Sequence, residues 1–329
     1  MKPKNKTRLI FFLFCLFLFS CTKQSCIEKN EINEVIRLSF INKEDTIYRI
    51  NSFQNFQNFT KNNPLISSQF FESDNSQIKE QKLYSLINNI YFDSLYFQVK
   101  NTFGSFEEQK KEIEQSFSRL KTLLPSIKNP IITTVISGFY NDIVVIDNKI
   151  IVGLDYFLDP DSKYKPQDIP KYILRRYKPN NIVPMIMSVY CTQFNQINPL
   201  DQTMISEMLN FGKLYYLLSS ILPCVPPHAI IGYTQEEWDL VEENENKIYS
   251  VFVERKLFFE TNHLIKNKYL SERPKVFEIS ASCPGRIGLW LGWKIINSYM
   301  NNNKEIKIEE LLQNTNNQEI FFQSSYKPS

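Results

Sequence analysis

Glycine occupies only 8 of 329 positions, while phenylalanine takes 26 and tyrosine 17. Propellers and barrels turn the chain many times through conformations that glycine adopts at least cost. A chain this poor in glycine, with 14% aromatic residues, is therefore expected to form a compact, mainly helical body.

The hydrophobic spacing bears on the same point. Phe106, Ile113, Phe117, Leu120 and Leu124 recur at helical intervals and are stopped by Pro125 and Pro130. Three β-like runs follow, at 131–136, 143–146 and 149–152, with Asp147-Asn148 as a hairpin turn between the last two. Beyond them the chain reads as helices: 182–194 with Pro184 in its first turn, 201–222 with Asp201 as the capping residue, and 286–301. Thr234-Gln235-Glu236-Glu237 resembles a capping box and opens a long helix to about Glu260, and 308–312 is a last short helix. Upstream, 67–88 is expected to be helical, and 31–63 reads as one or two strands or a short helix. The predicted class is α+β, mainly helical, with a small central sheet and a helical C-terminal half. Length alone allows one domain or two; the reading adopted is a single domain over 31–329.

The front of the chain is of another kind. Lys2, Lys4, Lys6 and Arg8 precede an apolar run from Leu9 to Phe19 that is too short to span a bilayer, which takes about 20 residues. Leu18-Phe19-Ser20-Cys21 resembles a lipobox, with Phe19 bulkier than is usual at its position. Residues 1–20 are therefore expected to be a lipoprotein signal peptide, and 21–30 a polar tether. The thiol of Cys21 would carry a diacylglyceryl thioether and its amine a further acyl chain such as palmitate. Two chains suffice for stable anchoring. Cys15 does not fit that role, since Phe14 precedes it and the apolar run continues past it. Losing the leader removes four positive charges and no negative ones, so the formal charge goes from +3 to −1. No basic excess remains for nucleic acid. Thr22, Lys23 and Gln24 carry no acidic residue, which by analogy with lipoprotein sorting in Gram-negative bacteria points to the outer membrane.

Candidate chemistry is sparse. His228 and His263 are the only histidines, and HExxH is absent. There is no GxSxG elbow, and Gly285, Gly288 and Gly292 form GxxGxxxG, a spacing suited to close helix packing rather than to phosphate. Cys283 before Pro284 reads either as a nucleophile at a helix N-terminus or as an inert buried thiol. Asp155, Asp159 and Asp161 read either as a hard-cation loop or as a capped turn around Pro160. Cys26, Cys191, Cys224 and Cys283 are scattered. The compartment permits a disulfide, and nothing in their spacing demands one. No cofactor or metal ligand set is expected.

In the second half, a series of stretches resembles the gliding motility lipoprotein GldB family of Bacteroidetes. In order they are 153–158 (GLDYFL), 182–184 (IVP), Glu207 with 212–216 (GKLYY), 231–234 (IGYT), Trp238 with Asn244-Glu245, 284–288 (PGRIG), 290–296 (WLGWKII) and 324–328 (SSYKP). They cover roughly 130–329. The resemblance implies a lipid-anchored component of the gliding machinery with no known enzymatic activity. Its partners would be the bilayer, through Cys21, and other envelope proteins of that machinery. It would sit in the cell envelope, at the outer membrane facing the periplasm.

A looser resemblance is to degenerate zinc-peptidase-like domains. It would set Met187 to Cys191 where HExxH belongs and Glu207 at the third ligand, with Met187, Val189 and Tyr190 filling the former metal cavity. The plain alternative is two amphipathic helices. Two other functional readings stay open: an envelope hydrolase with a cleft near Glu207 and His228, and a lipoprotein binding a carbohydrate or small ligand through its aromatics.

Overall fold

The computed structural model describes residues 35–73 and 76–328. The expected leader, Cys21, Cys26 and the tether lie outside the described residues.

β1 (Ser39–Asn42) leads into α1 (Glu44–Tyr48), α2 (Phe53–Asn62), a π turn at Ile66–Phe70, α3 (Gln77–Ile87), α4 (Phe92–Phe103) and α5 (Glu107–Leu123). β2 (Ile131–Val135), β3 (Ile143–Ile146) and β4 (Lys149–Gly153) follow, then a 3-10 turn at Leu154–Phe157. The rest is helical: α6 (Lys171–Leu174), α7 (Ile182–Cys191), α8 (Met204–Ile221), α9 (Pro227–Ile231), α10 (Gln235–Glu243), α11 (Glu245–Glu254), α12 (His263–Leu270), α13 (Ile287–Asn302), α14 (Ile308–Gln313) and α15 (Asn317–Ser324). The chain is α+β and mainly helical, as the sequence predicts.

The four strands form one mixed sheet in the order β1-β2-β4-β3. β1 runs parallel to β2, and β2 parallel to β4, while β3 is antiparallel to β4. The β3–β4 hairpin turns at Asp147-Asn148, with Asp147 at a φ of 50°, in the left-handed region that Asp tolerates. The described part of the ambiguous 31–63 region, from residue 35, forms β1 followed by two helices, and the parallel β1–β2 connection carries α1 to α5. α5 has the expected spacing: Ile113, Phe117 and Leu120 are fully buried, and the helix ends before Pro125.

One continuous apolar cluster extends from Ile47 to Ile320. Its centre in the helical half is the packing of α8 on α13. The residues expected to point inward from α8 (Met204, Ile205, Met208, Leu209, Leu214, Tyr215 and Leu218) are all buried. Among the described residues no helix is long and apolar enough to cross a membrane.

Several expectations are corrected. The helix after Thr234 stops at Glu243, and α11 starts afresh beyond Asn244, whose φ of −109° and ψ of 19° interrupt the spiral. The capping box itself forms: the Thr234 hydroxyl accepts from the Glu237 N–H and the Glu237 carboxylate from the Thr234 N–H. α8 is capped by Thr203 rather than Asp201, whose carboxylate accepts from the Thr203 N–H and hydroxyl instead. The expected helix over 67–88 is split into the π turn and α3, and α4, α12 and α15 were not expected from the sequence.

Candidate functional site

The stretches through which the chain resembles the GldB family are far apart in sequence, and folding brings several of those in the C-terminal half together around α13. At its N-terminal end, Arg286 occupies the N-cap with a φ of 58°. Its guanidinium pairs with Glu272 at 3.1 Å, donates to the Ile231 carbonyl and lies 5.9 Å over the Tyr233 ring. Arg176 grips the same carboxylate bidentately, at 2.6 and 2.9 Å, and donates to the Gly232 carbonyl at 2.9 Å. Tyr233 closes the ring of contacts by donating to the Gly285 carbonyl at 2.7 Å. Gly232 has a φ of +75°, the left-handed conformation that favours glycine, and a Cβ there would also press on the Arg176 side chain at 2.7 Å. Burial alone would raise the Glu272 pKa. The hydrogen bond from Arg176 and the charges of Arg286, Arg176 and Arg175 outweigh burial and hold this carboxyl below the usual glutamate range.

A second cluster lies one turn further along α13. Trp290 donates from its indole to Glu242 at 3.1 Å, and Lys294 pairs with Glu242 at 3.0 Å and with Glu245 at 3.3 Å. Glu245 is buried and also accepts from the Tyr326 hydroxyl, which fastens the C-terminal tail to α11. Burial pulls the Lys294 pKa down, but the hydrogen bond and charge of Glu242 and the charge of Glu245 override it and hold the ammonium above its ordinary value.

The remaining matching stretches are used in the same way. Asp155 is fully buried and accepts from the Ser137 N–H (3.0 Å), the Phe139 N–H (2.6 Å) and the Ser137 hydroxyl (3.1 Å). It thereby holds the 137–139 turn, where Gly138 and Phe139 both have positive φ. Burial raises its pKa and these donors oppose the rise. Lys213, also fully buried, donates to the Asn314 carbonyl at 2.5 Å, and burial lowers its pKa to about 8.

The other candidates do not assemble. Asp159 and Asp161 lie in an exposed turn where Asp159 accepts from the Asp161 N–H at 2.9 Å, away from buried Asp155; the capped-turn reading holds. Cys283 is a buried free thiol whose pKa burial pushes up to about 12, the behaviour of an inert sulfur. His263 is exposed at the start of α12, and His228 sits in α9. Among the described residues no three His, Cys, Asp or Glu side chains come together where they could hold a metal ion.

For the peptidase-like arrangement, the geometry separates the proposed members. Met187, Tyr190 and Cys191 are packed in the core, with Tyr190 edge-on to Phe117 at 4.8 Å. Val189 is 42% exposed, so it does not fill an interior cavity as expected. Glu207 faces outward, paired with Lys266, on the rim of an open groove of about 330 Å³ lined mostly by Ile197, Phe211, Leu214 and Asn210. A second groove, also of about 330 Å³, lies against the first cluster and is lined by Arg175, Arg176, Lys178, Asn181, His228 and Tyr233. Arg175 there is held bidentately by Glu237. The fold and these clusters define a mainly helical α+β body whose charged motif residues are locked to other parts of the chain beside a groove lined by basic side chains.

The family model described as gliding motility protein GldB matches residues 24–328, and the chain belongs to that family. No curated protein and no solved structure matches it.

Proposed function

We propose that this chain is a non-enzymatic, lipid-anchored component of the gliding machinery, working through contacts with other envelope proteins. The observation that carries the reading is the fate of the motif residues. Arg286, Glu245, Trp290, Lys294, Tyr326 and Asp155 are spent on holding one part of the chain to another, and family membership names the process they serve. Such a body offers a stable shape to partners. In this reading 1–20 is removed as a signal peptide, Cys21 carries the acyl chains, and 31–329 folds as a single domain. The protein sits at the outer membrane facing the periplasm. In a bacterium that does not glide, the same body would serve protein export or envelope assembly.

The test is genetic. In the deletion strain, spreading and the display of surface proteins are expected to be lost, and restored by the wild-type gene but only weakly by Cys21→Ser. Normal spreading and normal surface display in the deletion strain would refute the proposal. Activity abolished by a chelator, together with stoichiometric metal in the purified protein, would restore the hydrolase alternative.

A further inference from the structure

Between α2, the π turn and α3 lies an open groove of about 460 Å³, lined by Gln57, Thr60, Lys61, Ser67, Ser68 and Glu80. None of these residues belongs to the motif clusters described above. The backbone shapes the groove. Ile66–Phe70 is a single π turn, in which the Phe71 N–H donates to the Ile66 carbonyl at 2.9 Å and the rings of Phe70 and Phe71 are buried. Such turns are rare and occur frequently at functional sites. This one carries Ser67, which is only 4% exposed and whose hydroxyl has no hydrogen-bond partner. A buried oxygen left without a partner costs free energy, so its place on a groove wall points to a ligand.

The groove is rich in acceptors. Glu80 lines it from α3 and is buried; its carboxylate accepts from the Gln57 side-chain amide at 3.1 Å, and among the described residues no cation pairs with it. A buried carboxylate is costly until a charge or further donors meet it. Thr60, also buried, spends its hydroxyl proton on the Gln57 carbonyl at 3.0 Å and so offers the groove only lone pairs. A carboxylate and two hydroxyl oxygens call for a positive group with several N–H donors, which a primary ammonium is.

Lys61 and Ser68 line the same groove but are exposed. The Lys61 charge opposes a ligand that is simply a cation and suits one that also carries a carboxylate, to which the Ser68 hydroxyl can donate. The geometry points to a binding site for a small zwitterion: an amino acid whose ammonium enters first, onto Glu80, Ser67 and Thr60, and whose carboxylate stays at the mouth with Lys61 and Ser68. The difference in burial between the two sets sets that order. The inference rests neither on the lipid anchor nor on the gliding role.

The experiment is equilibrium dialysis of the full-length protein in detergent against isotopically labelled glycine and γ-aminobutyrate, which hold the same charges at different separations. Saturable binding of one or both is expected. Betaine, the trimethylated form of glycine, keeps both charges but loses every N–H donor, and it should not compete. Glu80→Gln should weaken binding roughly tenfold or more, and Lys61→Met should weaken it as well. Ser67→Ala separates binding from folding: it removes an oxygen that no protein group satisfies, so stability in urea should hold while binding weakens. No saturable binding of either probe would overturn the site. Betaine competing as well as the unlabelled amino acid, or Glu80→Gln with wild-type circular dichroism binding as tightly as the wild type, would overturn the placing of an ammonium there. Unchanged binding in Lys61→Met would overturn the placing of the carboxylate.

Discussion

A Cβ placed on Gly292 would lie 2.1 Å from the backbone oxygen of Met208. α8 and α13 therefore cross backbone against backbone. Gly212 answers from the other side, since its Cβ would meet the Gly292 oxygen at 2.5 Å. Ordinary helix pairs stand 8–10 Å apart because side chains separate them. Here the glycines remove that spacer, so the clusters at the end and side of α13 come within reach of α9, α11 and the C-terminal tail.

Gly292→Ala cannot be absorbed by a side-chain shift, because the obstructing atom is backbone. It is expected to destabilise by about 3 kcal/mol in urea unfolding followed by circular dichroism. Gly288→Ala is the comparison: its Cβ meets only the tip of the Leu270 side chain at 2.5 Å, and a cost of about 1 kcal/mol is expected. Equal costs would mean that the close crossing is not what the glycines serve.

Glu272→Gln removes the shared carboxylate from Arg176 and Arg286. Glu272 is more than a third exposed, so solvent screens the interaction, and a loss on the order of 1 kcal/mol is expected at neutral pH. The sign of the pH dependence follows from its lowered pKa. The contribution is present above the ordinary glutamate value of 4.5 and is lost as pH falls through the lower folded value. The gap between wild type and variant should therefore close in acid. A gap independent of pH would show that the charge is not responsible.

Lys213→Met works in the opposite direction. Folding lowers the Lys213 pKa from 10.5 to about 8, a change worth roughly 3 kcal/mol in favour of the neutral form. Below about pH 8 the buried ammonium opposes folding. Between about 8 and 10.5 the unfolded chain holds more proton than the folded one, so wild-type stability rises with pH across that window. The methionine variant lacks this rise. It should be the more stable protein at pH 7 by about 1–2 kcal/mol, after loss of the hydrogen bond to Asn314, with the advantage shrinking toward pH 10.5.

Lys294→Met removes the cation that pairs with the buried Glu245 carboxylate. A loss of about 2–3 kcal/mol is expected, together with faster amide exchange over 317–328, because the tail is fastened through that carboxylate. Unchanged exchange in the tail would break the link drawn between Lys294 and the C-terminus.

Much of the fold was legible in the sequence where local chemistry decides it. α5 is bounded by Pro125, the capping box opens α10 at Thr234, and the β3–β4 turn falls at Asp147-Asn148. Elements without such punctuation were missed. α4 carries Phe92, Leu95, Val99 and Phe103 at helical spacing, but Tyr91, not a capping residue, precedes it. α12 and α15 are eight residues each and largely polar, and their burial comes from docking beside α13 rather than from their own pattern. The ion-paired clusters were illegible for another reason. Glu272 and Arg176 are 96 positions apart and Tyr326 and Glu245 are 81, and nothing in a surface-like Glu or Lys announces its distant partner. The family stretches include Glu245 and Tyr326 but neither Glu272 nor Arg176, and only the fold shows which residues meet.

The central claim is that acyl chains on Cys21 hold this body at an envelope membrane. The most direct measurement is the mass of the mature N-terminal peptide from the native protein, together with the partition of the intact protein between detergent and water. The account requires a chain beginning at Cys21, carrying a diacylglyceryl thioether and partitioning into detergent. A chain still beginning at Met1, or an unmodified Cys21 on protein that stays in the aqueous phase, would contradict it.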